Sequence, residues 1–167
     1  FPLVMRNGEI FISQLDADHT VRPLLAPPRN APDRRIKTIC LDPGHGGKDT
    51  GNHNGGYLEK KYTLLLAQEV RQQLTRAGFK VVMTRSTDRF IDKADRPPLA
   101  KRRGADLFVS LHFNSIDSSR DEVKGVEVYC FTPAGASSTN ARGEGTESDP
   151  ARGNRNNSQN MLLAHQL

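Results

Sequence analysis

Tryptophan is absent from the 167 residues of this chain, and long apolar runs and closely spaced cysteines are lacking as well. No stretch approaches the roughly 18 consecutive apolar residues that a membrane-spanning helix needs. The basic residues are scattered apart from Lys101–Arg103, and without tryptophan no recognisable platform for stacking bases remains. We therefore expect neither a membrane span nor a nucleic-acid partner.

The two cysteines, Cys40 and Cys130, each lie inside an apolar run that is typical of a strand. A zinc knuckle needs closely spaced cysteine pairs, so that kind of metal site is excluded. Since a buried thiol behaves as a small apolar group, we expect both cysteines to be free. A disulfide between them stays open as an alternative if the two strands are neighbours.

Lysine and arginine outnumber aspartate and glutamate by 24 to 19, which gives a formal net charge of +5 at pH 7. Such a balance favours polyanionic partners, whether acidic wall polymers, acidic lipid or nucleic acid. Because the basic residues are scattered along the chain, a solvated basic surface is the simpler interpretation.

Prolines divide the chain into two parts. Residues 1–34 contain a loosely alternating run at 9–15 and then too many prolines for a regular element, which indicates the tail of an upstream module and a linker. From residue 35 onward, strand-like apolar runs alternate with helical spacing. Strands are predicted at 37–41, 79–84, 106–111 and 125–131, and helices at 59–77, 97–104 and 160–167. This order predicts an α/β fold, with an open, mostly parallel twisted sheet and flanking helices.

Three residues with metal-ligating side chains are predicted to meet at one rim of this sheet. His45 follows the first strand, His112 closes the third, and Glu59 begins the first long helix. In open parallel sheets, ligands bind beyond the carboxyl ends of the strands. Two imidazoles and one carboxylate, with a position left for water, are a common catalytic zinc set, whereas calcium or magnesium would want more oxygen ligands. The pattern therefore predicts a zinc site.

Each of the three residues also has an ordinary structural explanation. A histidine at a strand end is commonly a hydrogen-bonded loop residue, a glutamate at a helix N-terminus complements the helix dipole, and the glycines around His45 could simply form a tight turn. A phosphate-binding loop is excluded, because Gly47-Lys48 is followed by Asp49 rather than by serine or threonine. The convergence of three ligand types on one rim is what favours a metal.

The segment Lys37–Gly51, reading KTICLDPGHGGKDTG, resembles the opening motif of the N-acetylmuramoyl-L-alanine amidases of the Amidase_3 type. The segment Ala105–Asn114, reading ADLFVSLHFN, is similar to the second histidine-bearing motif of that family. Smaller pieces follow in family order, namely Glu59-Lys60, Thr84-Arg85 with Asp88, Arg96 and Gly125–Tyr129. The resemblance covers about residues 36–167.

The resemblance implies that His45, Glu59 and His112 bind zinc and that the substrate is peptidoglycan. The implied reaction is hydrolysis of the amide between the lactyl group of N-acetylmuramic acid and L-alanine of the stem peptide. An autolysin of this kind works in the periplasm or cell envelope, although no leader peptide is seen in this sequence. Asn114 is expected to orient a ligand or to touch substrate.

One catalytic part is expected outside this sequence. The family carries a second glutamate, the general base and acid, on a late strand after the last helix. Because the chain ends inside that helix, we expect the catalytic glutamate beyond Leu167, an amidase domain of residues 35–167 that lacks its last part, and poor hydrolysis by this fragment. The glutamates in the second half of the chain match no such motif; they are Glu122, Glu127, Glu144 and Glu147.

Residues 132–157 are predicted to form a flexible polar flap. In some members of the family a helix inserted there plugs the active site until an activator protein removes it, so an activator is one partner that the resemblance allows. His53 is expected to line the cleft or to face solvent, and His19 and His165 are assigned no role.

Two other functions stay open. The first is a non-catalytic, zinc-containing module that binds peptidoglycan without cutting it, which the missing glutamate favours. The second is a zinc peptidase that acts on small peptides with a similar sheet and metal set. The basic surface and the open glycine-rich rim favour a long anionic polymer over a small peptide.

Overall fold

The structure is a computed structural model that describes residues 4–27, 35–114, 125–133 and 152–167. The chain divides into two compact units. One unit is Pro32–Lys124, and the other combines Phe1–Ala31 with Gly125–Leu167. All three predicted metal ligands belong to the Pro32–Lys124 unit.

In chain order, the described strands are β1 (Val4–Arg6), β2 (Glu9–Phe11), β3 (Thr38–Pro43), β4 (His53–Asn54), β5 (Tyr57–Leu58), β6 (Lys80–Met83) and β7 (Leu107–Leu111). The described α-helices are α1 (Gln14–Asp16), α2 (Arg22–Leu25), α3 (Glu59–Arg76), α4 (Arg96–Arg102) and α5 (Asn157–Gln166). A π-helical turn joins α1 to α2, and 3-10 turns at Lys93–Asp95 and Arg152–Asn156 precede α4 and α5.

The sheet of the Pro32–Lys124 unit has β3 in the middle, paired in parallel with β6 on one side and β7 on the other. The predicted open, parallel α/β sheet with flanking helices is thus confirmed. Every residue of β3 is buried, as expected for a central parallel strand covered on both faces. The hydrophobic core contains Ile39 and Leu41 of β3, Met83 of β6 and Ala67 of α3. Helix α3 therefore packs on the sheet as the crossover between β3 and β6.

Local sequence signals account for most of these elements. The predicted strands at 37–41, 79–84 and 106–111 agree with β3, β6 and β7 within a few residues. Gly78 follows α3 with a φ of 92°, the left-handed conformation that ends many helices. Helix α2 contains Pro23, contrary to the prediction that this proline-rich stretch has no regular element; proline fits there because the first turn of a helix leaves its N–H groups unpaired anyway.

The predicted fourth strand at 125–131 is wrong, because residues 125–133 form no strand with any part of the chain that the structure describes. The alternating Val126, Val128 and their neighbours supply strand propensity, but a strand also needs a neighbour with free backbone groups. Conversely, the short antiparallel hairpin of β4 and β5 was not predicted. It turns at Gly55 and Gly56, with φ of 53° and 87°, and leads directly into α3.

The unit that combines Phe1–Ala31 with Gly125–Leu167 has its own small architecture. Strands β1 and β2 form an antiparallel hairpin whose turn, Asn7-Gly8, has φ of 53° and 80°. Asparagine followed by glycine is a strong hairpin signal because both residues tolerate positive φ. Helix α2 packs against α5 in the same unit.

Asp106 ties the beginning of β3 to that of β7. Its Oδ2 accepts hydrogen bonds from the backbone N–H groups of Lys37, at 2.9 Å, and Thr38, at 2.8 Å. The bond from Thr38, followed by that from Lys37, lowers the pKa of the Asp106 carboxyl. A carboxyl whose pKa is lower in the folded protein than in the unfolded chain stabilises the fold at pH values above the unfolded pKa, which is about 3.9 for aspartate. This stabilisation is lost as the pH falls through the folded pKa.

We therefore expect Asp106→Asn to lower the urea midpoint of unfolding at neutral pH. The difference from the wild type should narrow as the pH falls below about 4, where the wild-type carboxylate is itself being protonated. Urea titrations of both proteins at several pH values between about 3 and 7 measure this. A difference that stays constant over that range would contradict the assigned role of the ionised carboxylate.

Candidate metal centre

His45 stands two residues after β3, in a loop whose backbone is unusual. Its φ is 61°, a left-handed conformation that is uncommon for any residue except glycine. Gly46 and Gly47 follow with φ of 128° and 58°. A Cβ atom at Gly46 would lie 2.2 Å from the carbonyl oxygen of Arg89, and one at Gly47 would lie 2.6 Å from the backbone nitrogen of Phe90. The loop therefore needs glycine where it crosses the backbone of residues 89–90.

Glu59 is the first residue of α3, and its side chain is buried. Its Oε1 accepts a hydrogen bond from the N–H of Phe113 at 2.8 Å, and its Oε2 accepts one from the N–H of Asn52 at 2.9 Å. Burial raises the pKa of Glu59, but these two bonds, together with His45 and His112, outweigh burial and lower it. An ionised carboxylate is thus held at the rim.

The structure brings the three predicted ligand residues together. Nε2 of His45 lies 3.1 Å from Oε1 of Glu59, and Nδ1 of His112 lies 3.1 Å from the same oxygen. The two imidazole rings meet edge to face, with centroids 4.8 Å apart. One potential ligand atom from each residue lies within 4.8 Å of the other two.

This donor set fits a zinc ion. Zinc bonds of about 2.0–2.2 Å in a tetrahedron separate neighbouring ligand atoms by about 3.3–3.6 Å. Two of the three separations, each 3.1 Å, are close to that value, and the third, which is within 4.8 Å, shortens if the histidine rings turn towards a bound metal. Two nitrogens and one carboxylate oxygen are also the mixture that zinc accepts readily.

Asp49 supports His45 from the side opposite Glu59. Its Oδ2 lies 2.9 Å from Nδ1 of His45, and its Oδ1 accepts a hydrogen bond from the N–H of Gly51 at 3.1 Å. A carboxylate at that distance favours the tautomer with the proton on Nδ1, which leaves the Nε2 lone pair for a metal. Sequence reasoning missed this role, although a carboxylate four residues after a candidate ligand histidine is a signal that could have shown it.

Two further glycines lie against the candidate ligand residues. A Cβ atom at Gly44 would lie 2.4 Å from Cε1 of His112. At Gly51, which has a φ of 65°, a Cβ atom would lie 2.5 Å from Cδ2 of His45 and 2.7 Å from Oε2 of Glu59. The glycines around His45, for which a simple tight turn was the alternative explanation, therefore also make room for the candidate ligand side chains.

The remaining predicted residues are not part of this cluster. Asn114 is exposed two residues after His112, and its role stays a prediction. His53 is exposed in β4, while His19 and His165 belong to the other unit. Across the described ranges, no second group of His, Cys, Asp or Glu side chains is close enough to hold a metal ion.

Several predictions fall partly or wholly outside the described residues. Glu122, Glu144 and Glu147 lie there, as does most of the predicted flap, from residue 134 to residue 151. Glu127 is described in the other unit, where its Oε2 accepts a hydrogen bond from the Tyr129 hydroxyl at 3.1 Å. Both cysteines are free, as predicted. None of the described helices has the length and apolar character needed to cross a bilayer.

Comparison with known proteins points to one family. The sequence profile described as N-acetylmuramoyl-L-alanine amidase, Amidase_3, matches residues 39–165. The amidase AmiC of Neisseria meningitidis is 38% identical over 131 residues, which are 73% of this chain and 31% of that protein. The amidase AmiA of Escherichia coli is 39% identical over 107 residues, which are 64% of this chain and 36% of that protein. The chain thus spans about a third of the length of these relatives.

Solved structures agree with the sequence comparison. The amidase AmiC2 of Nostoc punctiforme is similar over 59% of this chain and 54% of its own, with 40% identity and a TM-score of 0.54. The catalytic domain of the amidase CwlV from Bacillus (Paenibacillus) polymyxa var. colistinus is similar over 60% of this chain and 56% of its own, with 36% identity and a TM-score of 0.53.

Proposed function

This chain belongs to the N-acetylmuramoyl-L-alanine amidase family, a family of enzymes, and we propose that it carries the zinc centre of a hydrolase that cleaves the amide between N-acetylmuramic acid and L-alanine of peptidoglycan. One observation carries the proposal: His45, Glu59 and His112 converge at the carboxyl ends of β3 and β7. Family membership supports the substrate and the reaction, and the donor set supports the metal.

In the proposed centre, each ligand is held by a separate part of the fold. Glu59 is fixed by the backbone N–H groups of Phe113 and Asn52, and His45 is oriented by Asp49. His112 directly follows β7, and its ring packs against Gly44, which has no side chain to obstruct it. When bound there, zinc would supply Lewis-acid chemistry, lowering the pKa of a water and polarising an amide carbonyl.

The general base is proposed to come from a glutamate beyond Leu167. Among the residues that the structure describes, the two carboxylates beside the candidate ligand histidines are already engaged, since Glu59 faces both histidines and Asp49 faces the far nitrogen of His45. Residues 1–167 are therefore proposed to bind zinc while hydrolysing peptidoglycan poorly. The proposed place of action is the periplasm or cell envelope, where the substrate lies, and a requirement for an activator protein stays a prediction.

Metal analysis of three variants tests the ligand set. We expect the wild-type chain to bind about one zinc ion, and His45→Ala and His112→Ala to bind none after dialysis, because a tetrahedral site with two remaining protein ligands loses most of its affinity. His53→Ala is the matched control, since His53 is exposed in β4 and should leave zinc content unchanged. Zinc retained in either ligand variant would remove that histidine from the set.

Release of stem peptide from purified peptidoglycan tests the reaction. The chain of 167 residues should release little, and a longer form of the protein that reaches a glutamate on a late strand should release peptide in a zinc-dependent manner. Full activity of the shorter chain would contradict the proposed location of the base. Binding without cleavage by the longer form would instead support the non-catalytic wall-binding module.

A further inference from the structure

Two arginines are buried behind the loop that carries His45. Arg85 is 1% exposed and Arg96 is 6% exposed, although arginine is rarely fully buried unless its guanidinium is paired. Neither side chain belongs to the metal ligands, and the proposed chemistry assigns no role to either one. Their partners show what the two guanidinium groups hold.

Arg96 is the first residue of α4, and its guanidinium contacts the backbone of the loop that carries His45. Its Nη2 donates to the backbone carbonyl of His45 at 3.0 Å and to that of Ile91 at 2.9 Å. Its Nη1 donates to the carbonyl of Pro43 at 3.0 Å and to Oδ1 of Asp42 at 2.8 Å. One planar group thus links the end of β3, the His45 backbone and the segment before α4.

Arg85 contacts the same loop and also the first turn of α3. Its Nε donates to the carbonyl of Pro43 at 3.0 Å, and its Nη2 donates to the carbonyl of Gly44 at 2.8 Å. Nη2 also donates to the carbonyl of Lys60 at 2.8 Å and lies 3.1 Å from the hydroxyl of Thr63. That hydroxyl donates in turn to the carbonyl of Gly44 at 2.9 Å.

The two arginines therefore donate hydrogen bonds to three successive backbone carbonyl groups, those of Pro43, Gly44 and His45. Fixing these carbonyls fixes the orientation of the peptide planes on either side of His45, and with it the left-handed φ of 61°. A left-handed backbone costs roughly 1–2 kcal/mol in a residue other than glycine, so it persists only where neighbouring groups hold it. The guanidinium fork suits this task because it presents several donors in one rigid plane, which lysine does not.

Charge neutralisation alone does not account for the arrangement. Asp42 is the buried carboxylate that pairs with Arg96, and it also accepts hydrogen bonds from the hydroxyls of Thr84 and Ser110. Most of the remaining guanidinium donors go to main-chain carbonyls of the metal loop and of the first turn of α3. Those carbonyls belong to, or lie beside, two of the three proposed ligands.

We propose that Arg85 and Arg96 are positioning residues for the metal centre. Arg96 holds the His45 backbone in the conformation that presents its ring, and Arg85 keeps this loop in register with the first turn of α3, where Glu59 lies. The inference rests on the proposed function only in taking zinc as the metal. Neither arginine is assigned a contact with substrate.

Zinc affinity of Arg85→Lys and Arg96→Lys, measured by competition with a chromophoric chelator, tests this proposal. We expect each variant to bind zinc about 10–100-fold more weakly than the wild type, the loss that follows removal of groups that orient metal ligands. The visible spectrum of the cobalt(II)-loaded variants should also change, because it reports coordination geometry. Arg103→Lys is the control: Arg103 donates to the carbonyl of Met83, which lies outside the metal loop, so its zinc affinity should stay within about twofold.

Urea unfolding of the metal-free proteins separates positioning from general stability. Zinc affinity that is unchanged in both Arg85→Lys and Arg96→Lys would overturn the proposal, whatever their stability. If Arg96→Lys does not fold, Asp42→Asn takes its place, since it removes the charge that orients Arg96; unchanged zinc affinity and cobalt spectrum there would equally overturn it. A wild-type protein that binds zinc but releases no peptide in its longer form would defeat the proposed reaction and leave the positioning role standing.

Discussion

Glu59→Gln is expected to abolish tight zinc binding, with a loss of affinity larger than the roughly 10–100-fold that follows removal of an outer partner. The substitution removes the negative charge that faces both histidines. It also breaks the local hydrogen bonding, because each carboxylate oxygen accepts one backbone N–H, from Phe113 and from Asn52. An amide has a single acceptor oxygen, so its NH₂ group would face a donor.

The metal-free Glu59→Gln protein should also be less stable, by about 1 kcal/mol, because one part-buried backbone donor loses its acceptor. Glu69→Gln is a matched control on the same helix, since Glu69 is exposed and accepts one hydrogen bond from Gln73. Zinc titration and urea unfolding of both variants check the prediction. Equal zinc affinity in the two variants would remove Glu59 from the ligand set.

Gly51→Ala is expected to weaken zinc binding at least about tenfold, which is the size of effect that follows when the orientation of metal ligands is disturbed. Its Cβ would lie 2.5 Å from Cδ2 of His45 and 2.7 Å from Oε2 of Glu59. Real Cβ atoms do not approach other atoms so closely, so the two proposed ligands must move apart or the loop must open. The added residue would also adopt a left-handed φ of 65°.

Gly55→Ala separates the collision from the backbone strain. Gly55 has a similar φ of 53°, but a Cβ atom there would meet nothing within 4 Å. Both variants should therefore lose roughly 1–2 kcal/mol of stability from the left-handed backbone, while only Gly51→Ala should lose zinc affinity. A parallel loss of affinity in both variants would show that strain in this region, and not contact with His45 and Glu59, is responsible.

The type of sheet and the identity of the candidate ligands were predictable from the sequence because their signals are local. β3 contains the short apolar run Ile39–Leu41, which is typical of a buried strand, and α3 shows a helical period that ends at Gly78. Parallel order then brings the ends of β3 and β7 to one rim, so His45 and His112 had to approach each other.

Other features were not predictable because they depend on contacts between distant residues. The run at 125–131 has strand propensity but forms no strand in the described chain, since propensity does not supply a pairing partner. Arg85 and Arg96 stand out in the sequence only as parts of the family resemblance, while their burial and the carbonyl groups that they bond depend on residues more than 40 positions away.

The sequence by itself determined which residue types are available to bind a metal and which strand ends and helix start carry them, because periodicity and chain order are properties of short segments. Only the tertiary structure decided how those side chains face one another. The two 3.1 Å approaches to Glu59 and the arginine bonds to the backbone around His45 all join residues that are far apart in the chain. Their geometry follows from packing across the sheet, which no local pattern encodes.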